Sequence, residues 1–169
     1  NLDVIFDQLL SIKGSNKTPL VLMGYLNQML KYGEEKFCQK VVDCGIDTVI
    51  LPDLPMVEFE NHYQQLFEKY GINNVFLITP HTSEERIRKI DSYTKSFIYV
   101  VANASITGAK GEISEQQIAY FNRINAMNLQ SNLIVGFGIS DKKTFSTACN
   151  YMNGAIIGSA FIKNLDQNG

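Results

Sequence analysis

Six apolar runs alternate along the chain with segments of helical periodicity. The runs are apolar throughout rather than at every second position, which is typical of strands buried on both faces of a sheet. They predict strands over residues 20–25, 47–55 (which runs into a proline-bounded turn), 74–80, 96–102, 132–138 and 154–160. The segments between them predict helices over residues 2–13, 33–45, 57–71, 82–93, 114–128 and 140–152.

Local signals mark several helix ends. Gly71 is placed to end a helix, because glycine readily adopts the left-handed backbone found there. Thr82 with Glu85, and Ser114 with Gln117, have the spacing of a capping box, in which the first side chain and the third helical side chain each bind a backbone N–H. We therefore expect helices to begin at both places.

Repeated strand–helix units predict an α/β fold with a parallel sheet, either a doubly wound open sheet or a (β/α)8 barrel. Two successive strands end in glycine turns, at residues 136–138 and 158–159. Phosphate-binding barrels place an anion between the loops after strands seven and eight. This favours a (β/α)8 TIM barrel of which the chain represents strands three to eight. Because a full barrel has about 250 residues, we expect residues 1–169 to be a single, incomplete barrel domain without the first two βα units.

The two glycine turns also predict a phosphate site. Backbone N–H groups near Gly138, Ile139, Gly158 and Ser159 are placed to surround one phosphate, with the Ser159 hydroxyl as a further donor. Glycine allows a close backbone approach, and a helix N-terminus attracts anions. The alternative is a plain chain reversal, in which the glycines serve only the turns.

Other candidates for substrate contact lie near these turns. The connection 102–113 is long and rich in small residues, so it is either a lid that carries Thr107 and Gly108 or a surface loop. Tyr99 either points its hydroxyl into the barrel mouth or is a core aromatic. Phe137 is placed to form one wall of a flat aromatic pocket.

Composition and charge exclude several classes of protein. A net charge of −2 gives no general attraction to nucleic acid or to an anionic membrane. The basic cluster 86–89 is interpreted as the solvated face of a helix. Three cysteines without CxxC spacing and two histidines do not indicate a zinc site. No signal peptide and no membrane-crossing run occur in this sequence, so we expect a reduced, cytoplasmic protein.

Six motifs together resemble the α subunit of tryptophan synthase. They are MGYLNQML-x-YG (23–33), PDLP (52–55), FLITP (76–80), SITG (105–108), GFGIS (136–140) and IIGSAF (156–161). They occur in the family's order over essentially the whole chain. The family's YxNP motif lacks its proline here, where Gln28 follows Asn27.

The resemblance implies a lyase that cleaves indole-3-glycerol phosphate to indole and glyceraldehyde 3-phosphate by a retro-aldol reaction. It implies no cofactor and no metal in this chain. Indole would pass to a β subunit that carries pyridoxal phosphate, in a heterotetramer of two α and two β subunits.

The resemblance also assigns roles to residues. Tyr99 matches the active-site tyrosine, and Thr107 matches a lid threonine that fastens to a catalytic aspartate. Phe137 matches a residue of the indole pocket. The positions that match the phosphate site are Gly108, Gly138, Gly158 and Ser159.

The resemblance implies that Asn27, Asp53 and Pro55 lie on the side that would face the β subunit. From the sequence alone, Asp53 is either a catalytic carboxylate or, as its turn between two prolines favours, a capping one.

The resemblance also marks a departure. The family's two catalytic carboxylates, a glutamate on the second strand and an aspartate after it, belong to segments that this chain does not contain, and the family's last helix is missing as well. We therefore expect the chain by itself to be inactive, and poorly folded or associated because its edge strands are open. The alternatives are a non-catalytic subunit that regulates the β partner and another phosphate-binding barrel, such as a sugar-phosphate epimerase or a phosphoribosyl isomerase.

Overall fold

A computed structural model describes residues 1–102, 114–136, 139 and 141–168. Its helices are α1 (Leu2–Ile12), α2 (Leu26–Tyr32), α3 (Glu34–Asp43), α4 (Met56–Glu58), α5 (Gln64–Tyr70), α6 (Glu84–Tyr93), α7 (Glu115–Ala126), α8 (Lys142–Cys149) and α9 (Ser159–Asn168), with a π-helical segment, Phe59–Tyr63, between α4 and α5. Its strands are β1 (Leu22–Met23), β2 (Thr48–Ile50), β3 (Asn73–Val75), β4 (Leu77–Ile78), β5 (Phe97–Val101), β6 (Asn132–Gly136) and β7 (Gly154–Ala155).

The chain divides into two compact units, Asn1–Phe76 and Leu77–Gly169. The first contains a parallel sheet in the order β1-β2-β3, and the second contains a parallel sheet in the order β4-β5-β6-β7. Consecutive strands are neighbours in both sheets, which confirms the predicted parallel βα repeat. The prediction of a single domain stays a prediction.

The first unit is built around apolar side chains between its sheet and its helices. Those buried most completely are Phe6, Met29, Val41, Val49, Phe67 and Val75. Helix α3 is tied to the helical segment 56–70 by polar contacts: Glu34 accepts a hydrogen bond from Tyr63 and lies 3.1 Å from His62 Nε2. Lys69 contacts Glu35 at 2.8 Å.

Two predictions for this unit are wrong in part. The run 20–25 forms only the two-residue strand β1, in which the side chain of Met23 is 58% exposed, because within the described residues β1 is an edge strand paired only with β2. Helix 57–71 begins earlier, at Met56, and its π-helical segment inserts a wider turn. Gly71 ends it with φ of 67°, as expected.

In the second unit, α6, α7 and α8 each bury one face, whereas α9 has no buried side chain among its described residues. The unit's large side chains that are almost completely buried include Ile78, Ile87, Ile90, Ile98, Phe121, Ile124 and Val135. The Ser114–Gln117 capping box at the start of α7 is confirmed, and Asp141 with Thr144 forms a second one at the start of α8. The polar face of α6 is exposed, as expected of the basic cluster 86–89.

Three predicted boundaries here are wrong. The run 74–80 forms two short strands that belong to different sheets, β3 and β4. Helix α6 is capped by Ser83 rather than Thr82, because the Thr82 hydroxyl accepts a hydrogen bond from Thr79 N instead. The run 154–160 is a strand only as far as Ala155, and Ser159 already begins a helix.

No helix in the described part of the chain combines the length and apolar character needed to span a membrane. Among those same residues, no three His, Cys, Asp or Glu side chains come together as a metal-binding group.

Candidate functional site

Three of the predicted site residues that the structure describes, Ile139, Gly158 and Ser159, follow the carboxyl ends of strands in the second sheet, and Tyr99 lies within β5. Parallel strands all end at the same edge, and βα loops at this edge carry the active sites of barrel enzymes. Tyr99 comes from β5, Ile139 follows β6, and Gly158 and Ser159 follow β7. The register, in which Tyr99 is opposite Ile134 and Ile134 is opposite Gly154, brings these strand ends side by side.

Tyr99 lies across the end of β6. Its side chain is 7% exposed, and burial raises the pKa of its phenol. A Cβ atom built on Gly136 would be 1.9 Å from the Tyr99 hydroxyl oxygen. Gly136 is therefore required by the tyrosine ring, a reason for glycine that neither a chain reversal nor a ligand provides. This role is not visible in the sequence, and only the diagonal register of two strands reveals it.

Gly158 and Ser159 form an open helix start. Both residues are exposed, and Gly158 O accepts hydrogen bonds from Phe161 N at 2.9 Å and from Ile162 N at 3.2 Å. The first N–H groups of a helix have no partner within it, so those at the start of α9 point away from the helix. A Cβ built on Gly158 would meet no atom within 4 Å, and the φ of this glycine is not positive. Neither packing nor backbone conformation requires glycine at this position.

The start of α8 is different, because the chain supplies its own anion there. The Asp141 carboxylate accepts a hydrogen bond from Thr144 N at 2.8 Å. Hydrogen bonds from the backbone and hydroxyl of Thr144 hold the pKa of Asp141 below its usual range. A further anion is therefore less favoured at the start of α8 than at the start of α9. The predicted site residue Ile139 is half-buried and lies between β6 and α8.

Four predicted site residues are outside the described residues. They are Thr107, Gly108, Phe137 and Gly138. The lid and the aromatic wall stay predictions.

A groove of about 370 Å³ lies between α8 and α9. Among the described residues it is lined by Phe145, Phe161 and neighbouring side chains, which include Ile157 and Ala160 on either side of Gly158 and Ser159.

The three predicted partner-facing residues lie in the first unit. Asp53 Oδ1 accepts a hydrogen bond from Leu26 N at 2.9 Å, so the carboxylate caps α2 from the end of β2. This agrees with the interpretation of Asp53 as a capping residue. Asn27, in the first turn of α2, and Pro55, immediately before α4, are both exposed.

Two parallel sheets with helices between consecutive strands define an α/β protein, with a candidate site after the strands of the second sheet. The chain belongs to the tryptophan synthase alpha chain family, whose family model matches residues 1–169.

Curated relatives and solved structures agree with this membership. The tryptophan synthase alpha chain of Flavobacterium johnsoniae is 54% identical over 98% of this chain and 66% of its own length, and that of Bacteroides thetaiotaomicron is 51% identical over 99% and 65%. The solved tryptophan synthase α2β2 complex of Pyrococcus furiosus contains a chain that matches all of this chain with a TM-score of 0.88 and 29% identity, over 68% of that chain's length. The A-subunit of the same organism matches with a TM-score of 0.85 and 28% identity.

These matches confirm the predicted fold, a (β/α)8 barrel of which this chain is a part. The chain spans about two thirds of the length of the curated relatives it matches.

Proposed function

We propose that this chain is part of a lyase that cleaves indole-3-glycerol phosphate to indole and glyceraldehyde 3-phosphate in tryptophan biosynthesis. The observation that carries the proposal is the open start of α9 at Gly158 and Ser159, on the same sheet edge as Tyr99. Family membership over the whole chain supports it. The lyase works in the cytoplasm.

Each side chain at this edge has a role suited to a different part of the substrate. The N–H groups at Gly158 and Ser159 bind the phosphate, because the open start of α9 offers both donors and a partial positive charge. Those near Gly138 and Ile139, which precede the Asp141 cap of α8, donate to the same phosphate. Phe137 packs against the indole ring, and the Tyr99 hydroxyl contacts the substrate from the adjacent strand. Thr107 and Gly108 belong to a lid over the site.

The bond that breaks joins C3 of indole to the glycerol carbon that bears a hydroxyl. A general acid protonates C3 of indole, and a general base removes the hydroxyl proton as that carbon becomes an aldehyde. The resemblance assigns these steps to a glutamate and an aspartate in segments that we expect to lie outside residues 1–169. The residues of this chain bind and orient the substrate. They need no cofactor, and pyridoxal phosphate belongs to a β subunit that receives indole in an α2β2 assembly.

The test is release of indole from indole-3-glycerol phosphate by the protein expressed from its own gene. Gly158→Asp places a carboxylate where the phosphate is proposed to bind, and we expect KM to rise at least about tenfold, the effect of losing one charged contact. Gly14→Asp is the matched control, because a Cβ built on Gly14 would also meet no atom within 4 Å.

Equal KM values in the two variants would refute the phosphate site. No indole release by the wild type would refute the lyase. If the wild type released no indole but activated a β subunit, the non-catalytic regulatory alternative would replace the lyase proposal.

A further inference from the structure

The turn after β4 uses two threonine side chains to satisfy its own backbone. Thr79 N donates to the Thr82 hydroxyl at 2.9 Å, and Thr82 N donates to Thr79 O at 3.0 Å. His81 N donates to the Thr79 hydroxyl at 3.3 Å. The turn 79–82 is therefore closed from within, and its carbonyl groups at Pro80 and Thr82 are available to a donor from another element.

Arg123 of α7 is that donor. Its Nη2 donates to Pro80 O at 2.9 Å, and its Nη1 donates to Thr82 O at 3.3 Å. A planar guanidinium carries several N–H groups in a fixed fork and can bind two carbonyls at once, whereas a lysine ammonium is a single point. One side chain of α7 thus fixes the turn at two places, more than 40 residues away along the chain.

Arg123 is in turn positioned by Tyr120, one helical turn earlier. Its guanidinium carbon lies 5.6 Å from the centre of the Tyr120 ring, within the range of a cation–π contact. Tyr120 is 5% exposed, and its buried hydroxyl has no hydrogen-bond partner among the described residues. The tyrosine therefore acts here through its ring.

The register places this turn beside the candidate site. Leu77 of β4 is opposite Tyr99 of β5. Strand β4 ends at Ile78, opposite Val100, so the turn 79–82 begins at the carboxyl edge of the sheet, immediately after the strand that pairs with Tyr99. In the sheet order β4-β5-β6-β7, the turn follows one outer strand, and the proposed phosphate site at α9 follows the other.

We propose that Arg123 is a positioning residue for the indole end of the substrate. By holding the turn 79–82 against α7, it fixes the wall of the site next to Tyr99, at the side of the sheet remote from the phosphate. This inference rests on the proposed lyase function and adds to it a residue that does not touch the substrate.

The test compares two arginines. Arg123 joins α7 to the turn before α6, and Arg88 joins α6 to the residue after α7. Arg123→Met frees the turn at the carboxyl edge. Arg88→Met is the matched control, because Arg88 donates at 3.3 Å to the carbonyl of Met127, the residue that ends α7 at the opposite edge of the sheet. Both variants lose contacts to backbone carbonyls, and thermal unfolding checks that both are folded at the assay temperature.

We expect Arg123→Met to raise KM for indole-3-glycerol phosphate about tenfold with kcat within twofold, the signature of lost ground-state binding. Inhibition by indole should weaken by a similar factor, while inhibition by inorganic phosphate should change less than twofold. Arg123→Lys should fall between the wild type and Arg123→Met, because lysine reaches one carbonyl at a time. Arg88→Met should change none of these constants by more than twofold.

A wild type that releases indole, together with an unchanged KM in Arg123→Met, would overturn the inference and leave the lyase intact. So would equal KM shifts in Arg123→Met and Arg88→Met, or a parallel loss of phosphate and indole inhibition. No indole release by the wild type would refute the lyase itself and, with it, this inference.

Discussion

At the scale of single residues, the contact between Tyr99 and Gly136 restricts position 136, at the end of β6, to glycine. The tyrosine ring occupies the space in which any other residue at position 136 would place its Cβ. Strands β5 and β6 are also hydrogen-bonded along five residue pairs, so neither strand can move away to make room. The substrate-contacting role proposed for Tyr99 thus depends on a glycine of the next strand.

Gly136→Ala should lower the free energy of unfolding by about 1–3 kcal/mol, the usual cost of overpacking a core. Gly14→Ala is the control, since its Cβ would meet no atom within 4 Å, and it should stay within about 0.5 kcal/mol of the wild type. Urea unfolding measures both. Because the clash is with the tyrosine ring, the cost of Gly136→Ala should shrink in a Tyr99→Leu background, and equal costs in both backgrounds would contradict this explanation.

Removing the hydroxyl group of each of two buried tyrosines, Tyr120 and Tyr63, should have different effects on the free energy of unfolding. Tyr120→Phe removes a group without a partner in the described residues, so the free energy of unfolding should be unchanged or slightly higher. Tyr63→Phe removes the hydrogen bond to Glu34 and should cost about 1 kcal/mol. Urea unfolding of the two variants side by side tests this, and a larger loss for Tyr120→Phe would show that its hydroxyl has a structural role.

At the scale of elements, long-range polar contacts fix the positions of short helices. Helix α2 begins where Asp53 accepts a hydrogen bond from Leu26 N, and α3 is held to the segment 56–70 through Glu34 and Glu35. The π-helical segment carries His62 and Tyr63, and both reach the one carboxylate of Glu34. A wider helical turn therefore serves a specific contact between helices.

Asp53→Ala should destabilise α2 by about 0.5–2 kcal/mol, the value of a helix cap. Asp53→Asn keeps an acceptor oxygen and should cost less. Amide hydrogen exchange at residues 26–30 measures the local effect, and unchanged exchange in Asp53→Ala would show that the cap contributes nothing.

The lowered pKa of Glu34 predicts how the free energy of unfolding depends on pH. The hydrogen bond from Tyr63, aided by the contact with His62, holds the pKa of Glu34 below its ordinary value although burial opposes it. A lowered pKa in the folded state stabilises the fold above the unfolded value of about 4.3, and this contribution is lost as pH falls through the lower, folded value. Glu34→Gln should therefore reduce stability at pH 7 by at most about 1 kcal/mol, as for other pairs near the surface. It should also flatten the decline of stability below about pH 4.3, and an unchanged acid profile would contradict the assignment.

Local capping explains why some element boundaries were predictable and others were not. The Ser114–Gln117 box lies within four consecutive residues, so the sequence alone locates the start of α7. The cap of α2 comes from a residue 27 positions later, and nothing near Leu26 indicates it. The same distinction applies to the candidate site. Gly158 was a candidate because it ends a predicted strand, and Tyr99 because it lies in the strand before the long connection, whereas Gly136 and Arg123 act through residues of other strands and turns.

At the scale of the whole molecule, the family and the barrel class were predictable because six motifs recur in order, and the family match over residues 1–169 confirms the assignment. The lengths of the strands were not predictable. Predicted strands of six to nine residues contain described strands of two to five, because pairing between strands, and not apolar character, determines where each strand ends.

The exposed edge of β1 leads us to predict that residues 1–169, expressed by themselves, self-associate. Val21, Met23 and Tyr25 are exposed along this edge, and open apolar edges promote pairing between chains. We expect this 169-residue chain to associate at micromolar concentration, as measured by light scattering after gel filtration. Met23→Lys should reduce the association, since lysine is a common protection of edge strands, and a monomeric wild-type chain would contradict the prediction.

The cap of α2 by Asp53 also has a consequence for synthesis on the ribosome. Leu26 leaves the exit tunnel 27 residues ahead of the carboxylate that its N–H requires, so α2 must wait without its cap while α3 and β2 are still being made. Only when the turn 52–55 has emerged can helix and strand be joined. The nascent chain is therefore expected to acquire α2 together with β2 in one late step rather than in the order in which the ribosome makes them.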